Sequence, residues 1–137
     1  MIKRSEELDR YLNMTVDKGG SDLHIQTGSR PAIRILGDVV FLDEEILTHQ
    51  RTEALVKEVL DEAHFNTLFK TGSVDFAYEV KDLARFRANF LLQHYGYGMV
   101  LRVIPSRIPT LEELNLPSTL FDICEFDKGL VIVTGPT

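Results

Sequence analysis

Residues 84–104, ARFRANFLLQHYGYGMVLRVI, decide the fold, because they predict a β-hairpin with one apolar and one polar face. Apolar side chains occupy every second position of both segments: Phe86, Ala88, Phe90 and Leu92 in the first, and Met99, Leu101 and Val103 in the second. Both sets must face the same core, which requires an even-length loop around the YGYG stretch. We therefore expect Phe90 to lie opposite Val103 and Leu92 opposite Leu101.

The same hairpin places three arginines together on its polar face: Arg85, Arg87 and Arg102. A register shift of one residue would bury Arg102, so the alternation of apolar positions fixes this face. A solvated sheet face is the commoner explanation of such a trio. The functional alternative is a phosphate-facing surface, because arginine offers fixed, bidentate and permanently charged donors. Such a patch could serve a nucleotide that a neighbouring domain holds.

The chain before the hairpin changes between helical and extended patterns. Residues 5–18 predict an amphipathic helix, and residues 48–72 predict a helical segment capped by Thr48, ended by Gly72 and broken near 61–63. Alternating or continuous apolar positions predict strands at 21–27, 32–36, 39–42 and 73–80. The order α-β-β-β-α-β-β-β predicts an α+β domain of about 100 residues, with a mainly antiparallel sheet and flanking helices.

The character of the sequence changes after the hairpin. Residues 105–109, PSRIP, contain two prolines and predict a linker. Thr110 and Glu113 then form the capping-box pattern of a helix start, TLEEL. A short amphipathic helix is predicted next, with three side chains facing inward: Leu120, Ile123 and Cys124. We expect three parts: a domain over 1–104, a linker over 105–109 and the start of a different domain over 110–137.

The last nine residues, GLVIVTGPT at 129–137, combine a strand pattern with a glycine turn. The segment Leu130–Val133 predicts a strand that is covered on both faces. A P-loop has the pattern strand, GxxxxGK[ST], helix, and the chain contains three of the eight loop positions. On spacing alone, a simple Gly-Pro turn remains the alternative interpretation.

Composition and charge narrow the possible functions. The net charge of −6 argues against nucleic acid or anionic lipid as the main partner. No run of 18 apolar residues predicts a transmembrane helix, and the first ten residues carry no apolar signal core, so we expect a cytosolic protein. The single cysteine, Cys124, excludes a disulfide within one chain and a cysteine-based zinc site, and we expect it to be a small buried side chain.

Asp22 and His24 lie two residues apart in SDLHIQT and therefore face the same side of a strand. Such a pair more often makes a structural hydrogen bond than a metal or catalytic site. The other histidines are scattered without metal-binding spacing, and no GxSxG nucleophile motif is present. We expect no catalytic residue and no metal ligand within this chain.

Four stretches taken together resemble the type IV pilus retraction ATPases, twitching motility motors of the type II/IV secretion ATPase superfamily. They are GGSDLHIQTGSRPAIRILGDV, ARFRANF, MVLRVIPSRIPTLEELNLP and KGLVIVTGPT, in the order of the family and at similar spacing over nearly the whole chain. In that family the last stretch continues as GPTGSGK[ST], the Walker A loop. The resemblance implies a PAS-like N-terminal domain followed by the truncated first edge of a RecA-like ATPase domain.

The resemblance also implies a function and partners. Members of the family are hexameric ATPases at the cytoplasmic face of the inner membrane, where they use ATP and Mg²⁺ to depolymerise pili. Their implied partners are further copies of the chain and the inner-membrane platform of the pilus, without nucleic acid and without insertion into the membrane.

Site residues follow from the same resemblance. Arginines of the N-terminal domain approach the γ-phosphate in this superfamily, which implies that role for Arg87, Arg102 and, less directly, Arg85. The first P-loop residues would be Gly135, Pro136 and Thr137. The P-loop lysine, the Mg²⁺-binding Ser/Thr and the catalytic acids would lie beyond Thr137. We therefore expect this chain alone to bind no cofactor and to be inactive.

Two alternatives stay open. A pilus assembly or type II secretion ATPase tends to carry SDIHIEP and an RIDG-like turn, whereas this chain has SDLHIQTG and ILGDV, which favours retraction. The alternative from a different class is a free-standing PAS-like interaction module without a motor.

Overall fold

The structure, a computed structural model, describes residues 1–105 and 107–135. The chain divides into two units, Met1–Ser106 and Arg107–Thr137. The division falls inside the stretch 105–109, where two prolines predict a linker. All buried side chains of the described residues belong to the first unit.

The first unit contains three helices and six strands among its described residues. They are α1 (Glu6–Asp17), β1 (Asp22–Gln26), β2 (Ala32–Ile35), β3 (Asp38–Phe41), α2 (His49–Val59), α3 (Glu62–Thr71), β4 (Ser73–Val80), β5 (Ala84–Gln93) and β6 (Gly96–Ile104). The strands form one sheet in the order β3-β2-β1-β6-β5-β4, and every neighbouring pair is antiparallel. The predicted combination of helices with a mainly antiparallel sheet is confirmed.

The helices pack against one face of the sheet: α1 contacts β1, α2 contacts β6, and α3 contacts β4 and β5. The core between these two layers is formed by the apolar positions of the alternating strands, which include Leu23, Ile33, Phe86, Phe90 and Leu101. Since successive side chains of a strand point to opposite faces, the intervening polar residues lie on the other face of the sheet. That second face carries the candidate site.

The helix boundaries agree with the sequence signals. The Thr48 side chain accepts a hydrogen bond from the Arg51 backbone N–H at 3.3 Å, and the left-handed Gly72 ends α3. The predicted break near 61–63 is confirmed, because α2 ends at Val59 and the Asp61 side chain caps α3. These caps satisfy backbone groups that a helix end leaves without a partner.

The register of the β5–β6 hairpin differs from the predicted one. Val103 lies opposite Phe86 instead of Phe90, and Phe90 lies opposite Met99. A two-residue turn, His94-Tyr95, joins the strands, so both glycines of YGYG belong to β6. The predicted register is wrong by four positions. Because four is an even number, the predicted faces are nevertheless correct.

The surroundings of Gly96 show why this position in β6 requires glycine. A Cβ atom at this position would lie 2.5 Å from Thr27 Oγ1 and 2.7 Å from His49 Nδ1. Only glycine allows such a close approach, and its φ of +140° is also one that other residues rarely adopt. The strand therefore begins at Gly96, three residues before the first residue of the predicted apolar set, Met99. Tyr97 is buried in the core and lies opposite Leu92, the position predicted for Leu101.

The second unit contains one short helix, α4 (Thr119–Cys124), among its described residues. The predicted capping box forms: Thr110 Oγ1 accepts from the Glu113 N–H at 3.3 Å, and the Thr110 N–H donates to Glu113 Oε2 at 2.9 Å. Turns follow it instead of a helix, so the helix predicted at TLEEL is wrong. A helix as short as TLEEL is unstable unless one of its faces is buried, and residues 110–114 are largely exposed.

Two further predictions for this unit are wrong. Leu130–Val133 forms no strand, and the exposed fraction is 83% for Leu130 and 86% for Val133. A strand needs a hydrogen-bonded neighbour, and none is present among residues 107–135. Cys124 is exposed instead of buried, whereas Leu120 and Ile123 are partly buried.

In the described part of the chain, no helix combines the length and the apolar character needed to cross a lipid bilayer.

Candidate functional site

A row of charged residues crosses four adjacent strands on the sheet face that the helices leave uncovered. Arg34 on β2 lies opposite Asp22 on β1, Asp22 lies opposite Arg102 on β6, and Arg102 lies opposite Arg87 on β5. The strand order β2-β1-β6-β5 brings residues that are up to 80 positions apart in the sequence into direct contact. The predicted proximity of Arg87 and Arg102 thus has a structural basis in direct cross-strand pairing.

Asp22 is the central acid of this row and is almost completely buried, with 3% of its surface exposed. Its carboxylate accepts hydrogen bonds from Arg102 Nε at 2.8 Å and from Ser21 Oγ at 2.7 Å, and Arg34 Nε lies 3.7 Å away. Burial alone would raise the pKa of Asp22. The hydrogen bonds from Arg102 and Ser21 and the nearby positive charges outweigh this effect and hold the pKa below its usual value. Asp22 is therefore an anion at neutral pH.

Asp75 on β4 binds Arg87 through Nε, as Asp22 binds Arg102. Its carboxylate accepts from Arg87 Nε at 3.3 Å and from Asn89 Nδ2 at 3.0 Å. Within residues 1–105 and 107–135, Arg87 and Arg102 make side-chain hydrogen bonds only through Nε. A guanidinium group carries five N–H donors, so the terminal amino groups of both arginines remain free to bind a ligand.

Arg87 and Arg102 border a shallow cavity of about 260 Å³, together with Asp22, Asp75, Asn89 and Val100. Both arginine side chains are about 70% exposed, so they are accessible from solvent. Two neighbouring guanidinium groups with free terminal donors suit an anion with several oxygen atoms, such as a phosphate group or a carboxylate.

The third arginine of the predicted trio lies on the same face but apart from the cavity. Arg85 is the second residue of β5, where it lies opposite Glu79 on β4 and Ile104 on β6. It is not among the residues that line the cavity. The structure therefore brings together two of the three predicted arginines.

The P-loop residues of the prediction are placed only in part. Gly135 lies in the second unit outside any helix or strand, and a Cβ atom there would contact nothing within 4 Å. Pro136 and Thr137 lie outside the described residues.

His24 lies on β1 two residues after Asp22 and faces the same side of the sheet. The two side chains are not hydrogen-bonded to each other among the described residues, since Asp22 binds Arg102 and Ser21 instead. The His24 Nε2 atom is buried without a hydrogen-bond partner in the described chain. Burial lowers the pKa of His24, although the charge of Asp22 opposes this effect, so the imidazole is neutral at pH 7.

Sequence reasoning missed three residues of this site: Arg34, Asp75 and Asn89. The alternation within AIRIL and SVDFAYEV already predicts that Arg34 and Asp75 point away from the core. Their proximity to the arginines depends on which strands are neighbours, and local periodicity carries no information about strand order.

Comparison with known proteins gives a consistent set of relatives, although no protein-family model matches the chain. The chain is 35% identical over 131 residues to the type IV pilus retraction ATPase PilT of Pseudomonas aeruginosa, covering 96% of this chain and 38% of PilT. It is 36% identical over 131 residues to the type IV pilus ATPase PilU of the same organism, covering 96% of this chain and 34% of PilU.

Solved structures point to the same proteins. The crystal structure of a PilT pilus retraction motor with bound ADP is similar with a TM-score of 0.74 and 36% identity, covering 99% of this chain and 39% of that chain. The chain therefore spans less than two fifths of the length of these relatives.

Proposed function

This chain is homologous to the pilus ATPases PilT and PilU over nearly its whole length, and from this premise we propose that it is the N-terminal part of a motor that retracts type IV pili. Its role in that motor is to present arginines to the nucleotide. One observation carries the proposal: Arg87 and Arg102 each bind an aspartate through Nε, both border one cavity, and the terminal amino groups of both make no hydrogen bond within the described residues. Arg85 is a more distant contributor on the same face.

The two arginines suit a triphosphate because their terminal amino groups can each bind phosphate oxygens. ATP supplies the γ-phosphate, and negative charge shifts on its oxygens during hydrolysis. Arg87 and Arg102 would bind these oxygens and stabilise that charge. The cavity does not suit Mg²⁺, since Asp22 and Asp75 are engaged by arginines and no three potential metal ligands converge among the described residues. The Mg²⁺ ligands belong to the remainder of the ATPase.

The domain assignment is part of this proposal. Residues 1–104 form a PAS-like domain, 105–109 a linker, and 110–137 the first edge of a RecA-like ATPase domain. Gly135, Pro136 and Thr137 are then the first residues of its Walker A loop. The support for this arrangement is the match to the N-terminal region of PilT together with the GPT sequence at 135–137.

The remaining properties of the motor are proposed from the same relatives. The complete protein assembles as a hexameric ring at the cytoplasmic face of the inner membrane, next to the pilus platform. A twitching motility protein of Neisseria gonorrhoeae, 35% identical over 107 residues, supports a role in twitching motility. The match to PilT and the stretch SDLHIQTG support retraction over assembly.

Replacement of the two arginines tests the proposal in the complete ATPase. Arg87→Ala and Arg102→Ala should each lower the rate of ATP turnover by about 10- to 1000-fold, because a donor to the transition-state charge is lost. The affinity for ADP should change far less, because ADP lacks the γ-phosphate. Steady-state ATP hydrolysis and ADP titration measure the two quantities.

Arg30→Ala is the matched control, since it removes an exposed arginine outside the cavity. It should leave ATP turnover unchanged. An equal loss of ATP turnover and ADP affinity in the Arg87 and Arg102 variants would contradict a γ-phosphate role.

A further inference from the structure

Asp22 has the geometry of a residue that acts on the nucleotide through Arg102. We propose that Asp22 is a positioning residue: it binds the guanidinium group through Nε and thereby directs both terminal amino groups of Arg102 into the cavity. The inference rests on the proposed function, because it assumes that a phosphate group occupies the cavity.

The donors of a guanidinium group explain why binding at Nε has a directional effect. The group can bind an oxyanion either along its side, through Nε and one terminal nitrogen, or at its end, through both terminal nitrogens. The contact at 2.8 Å between Arg102 Nε and Asp22 Oδ1 occupies the side. The end of the group is then the part that remains for a phosphate.

The Asp22 carboxylate is itself fixed in place. Its backbone belongs to β1, a strand that pairs with β2 on one side and with β6 on the other. Its second oxygen accepts the hydrogen bond from Ser21 Oγ and lies 3.7 Å from Arg34 Nε. A buried anion with partners at both oxygens cannot rotate freely, so it gives Arg102 one preferred orientation.

Asp75 provides a comparison within the same cavity. Its side chain is half exposed, and its contact with Arg87 is longer, at 3.3 Å. Exposed ion pairs contribute little to the order of the side chains that form them, whereas a buried charge-assisted hydrogen bond contributes more. Asp22 should therefore have a larger effect on Arg102 than Asp75 has on Arg87.

A purely structural role is the competing explanation, because Asp22 also connects β1 to its two neighbours. The two explanations differ in one respect. If Asp22 acts through Arg102, its replacement should have no further effect once Arg102 has been removed. If Asp22 only stabilises the fold, the two replacements should have independent effects that multiply.

A double-mutant cycle in the complete ATPase tests this difference. Asp22→Asn is nearly isosteric, removes the charge and replaces one acceptor oxygen with an NH2 donor. Glu79→Gln makes the same change on an exposed residue of the same sheet face. We expect Asp22→Asn to lower kcat about tenfold or more with little change in KM for ATP. The double variant Asp22→Asn/Arg102→Ala should be no slower than Arg102→Ala alone, and Glu79→Gln should match the unmodified protein.

The outcomes separate the inference from the function on which it rests. If Arg102→Ala lowers kcat and Asp22→Asn does not, the positioning role is wrong and the proposed function stands. Multiplying effects in the double variant also overturn the positioning role. If Arg102→Ala leaves kcat unchanged, the proposed function is wrong and the inference falls with it.

A direct measurement on the 137-residue chain guards against misfolding of the Asn variant. In nuclear magnetic resonance spectra, the Nε–H proton of Arg102 should exchange with water about tenfold more slowly than that of Arg85, which has no ion-pair partner among the described residues. In Asp22→Asn the two rates should become similar while the backbone spectrum is retained. Slow exchange of the Arg102 proton in that variant would contradict the inference.

Discussion

Tyr78 shows how a single polar group connects distant parts of the first unit. Its hydroxyl accepts a hydrogen bond from the Ser5 backbone N–H at 3.0 Å and donates one to Asp9 Oδ1 at 2.8 Å. It therefore joins the far strand of the sheet to the start of α1. Burial raises the pKa of the phenol, so Tyr78 stays protonated and can act as the donor.

Tyr78→Phe should lower the free energy of unfolding by about 1–3 kcal/mol, because it leaves the buried Ser5 N–H without a partner. Tyr95→Phe is the matched control, since Tyr95 is 80% exposed in the β5–β6 turn. The control should change stability by less than about 0.5 kcal/mol. Urea unfolding of both variants measures the difference, and equal stability of the two would show that the Tyr78 hydroxyl has no structural role.

The strands show which features of the fold could be predicted from the sequence. Alternation of apolar residues correctly predicts the buried face of β1, β4, β5 and β6, and hence the shared face of Arg87 and Arg102. The register of β5–β6 could not be obtained in this way, because every even shift gives the same faces. The contact between Asp75 and Arg87 could not be predicted because it depends on strand order. The strand predicted at Leu130–Val133 does not form because residues 107–135 offer no neighbouring strand. Both are tertiary properties.

The position of Gly96 inside β6 gives a prediction at the level of this hairpin. Gly96→Ala should destabilise the protein by more than about 2 kcal/mol, because the new Cβ atom would overlap Thr27 and His49 in addition to straining the backbone. Gly37→Ala isolates the backbone contribution, since Gly37 has a φ of +96° but open space around it. It should cost about 1–2 kcal/mol. Urea unfolding compares the two, and a smaller cost at Gly96 would contradict the described hairpin.

The molecule as a whole contains a complete core in one unit and almost none in the other. Every buried side chain among the described residues lies in the first unit, and none lies within 107–135. The resemblance to pilus retraction ATPases, read from four stretches of sequence, agrees with the relatives found by comparison, which are 35–36% identical to this chain over 131 aligned residues. The proposed role of the arginines concerns binding of a nucleotide, and periodicity within the sequence carries no information about a ligand.

The most direct test of the central claim is a distance in the complete ATPase. A structure with a non-hydrolysable ATP analogue would give the separation between the γ-phosphate oxygens and the terminal nitrogens of Arg87 and Arg102. We expect at least one of the two arginines to lie within hydrogen-bond distance, about 3 Å, with its Nε still bound to its aspartate. If both guanidinium groups lie more than about 10 Å from the phosphate, beyond the range of screened charges, the claim is contradicted.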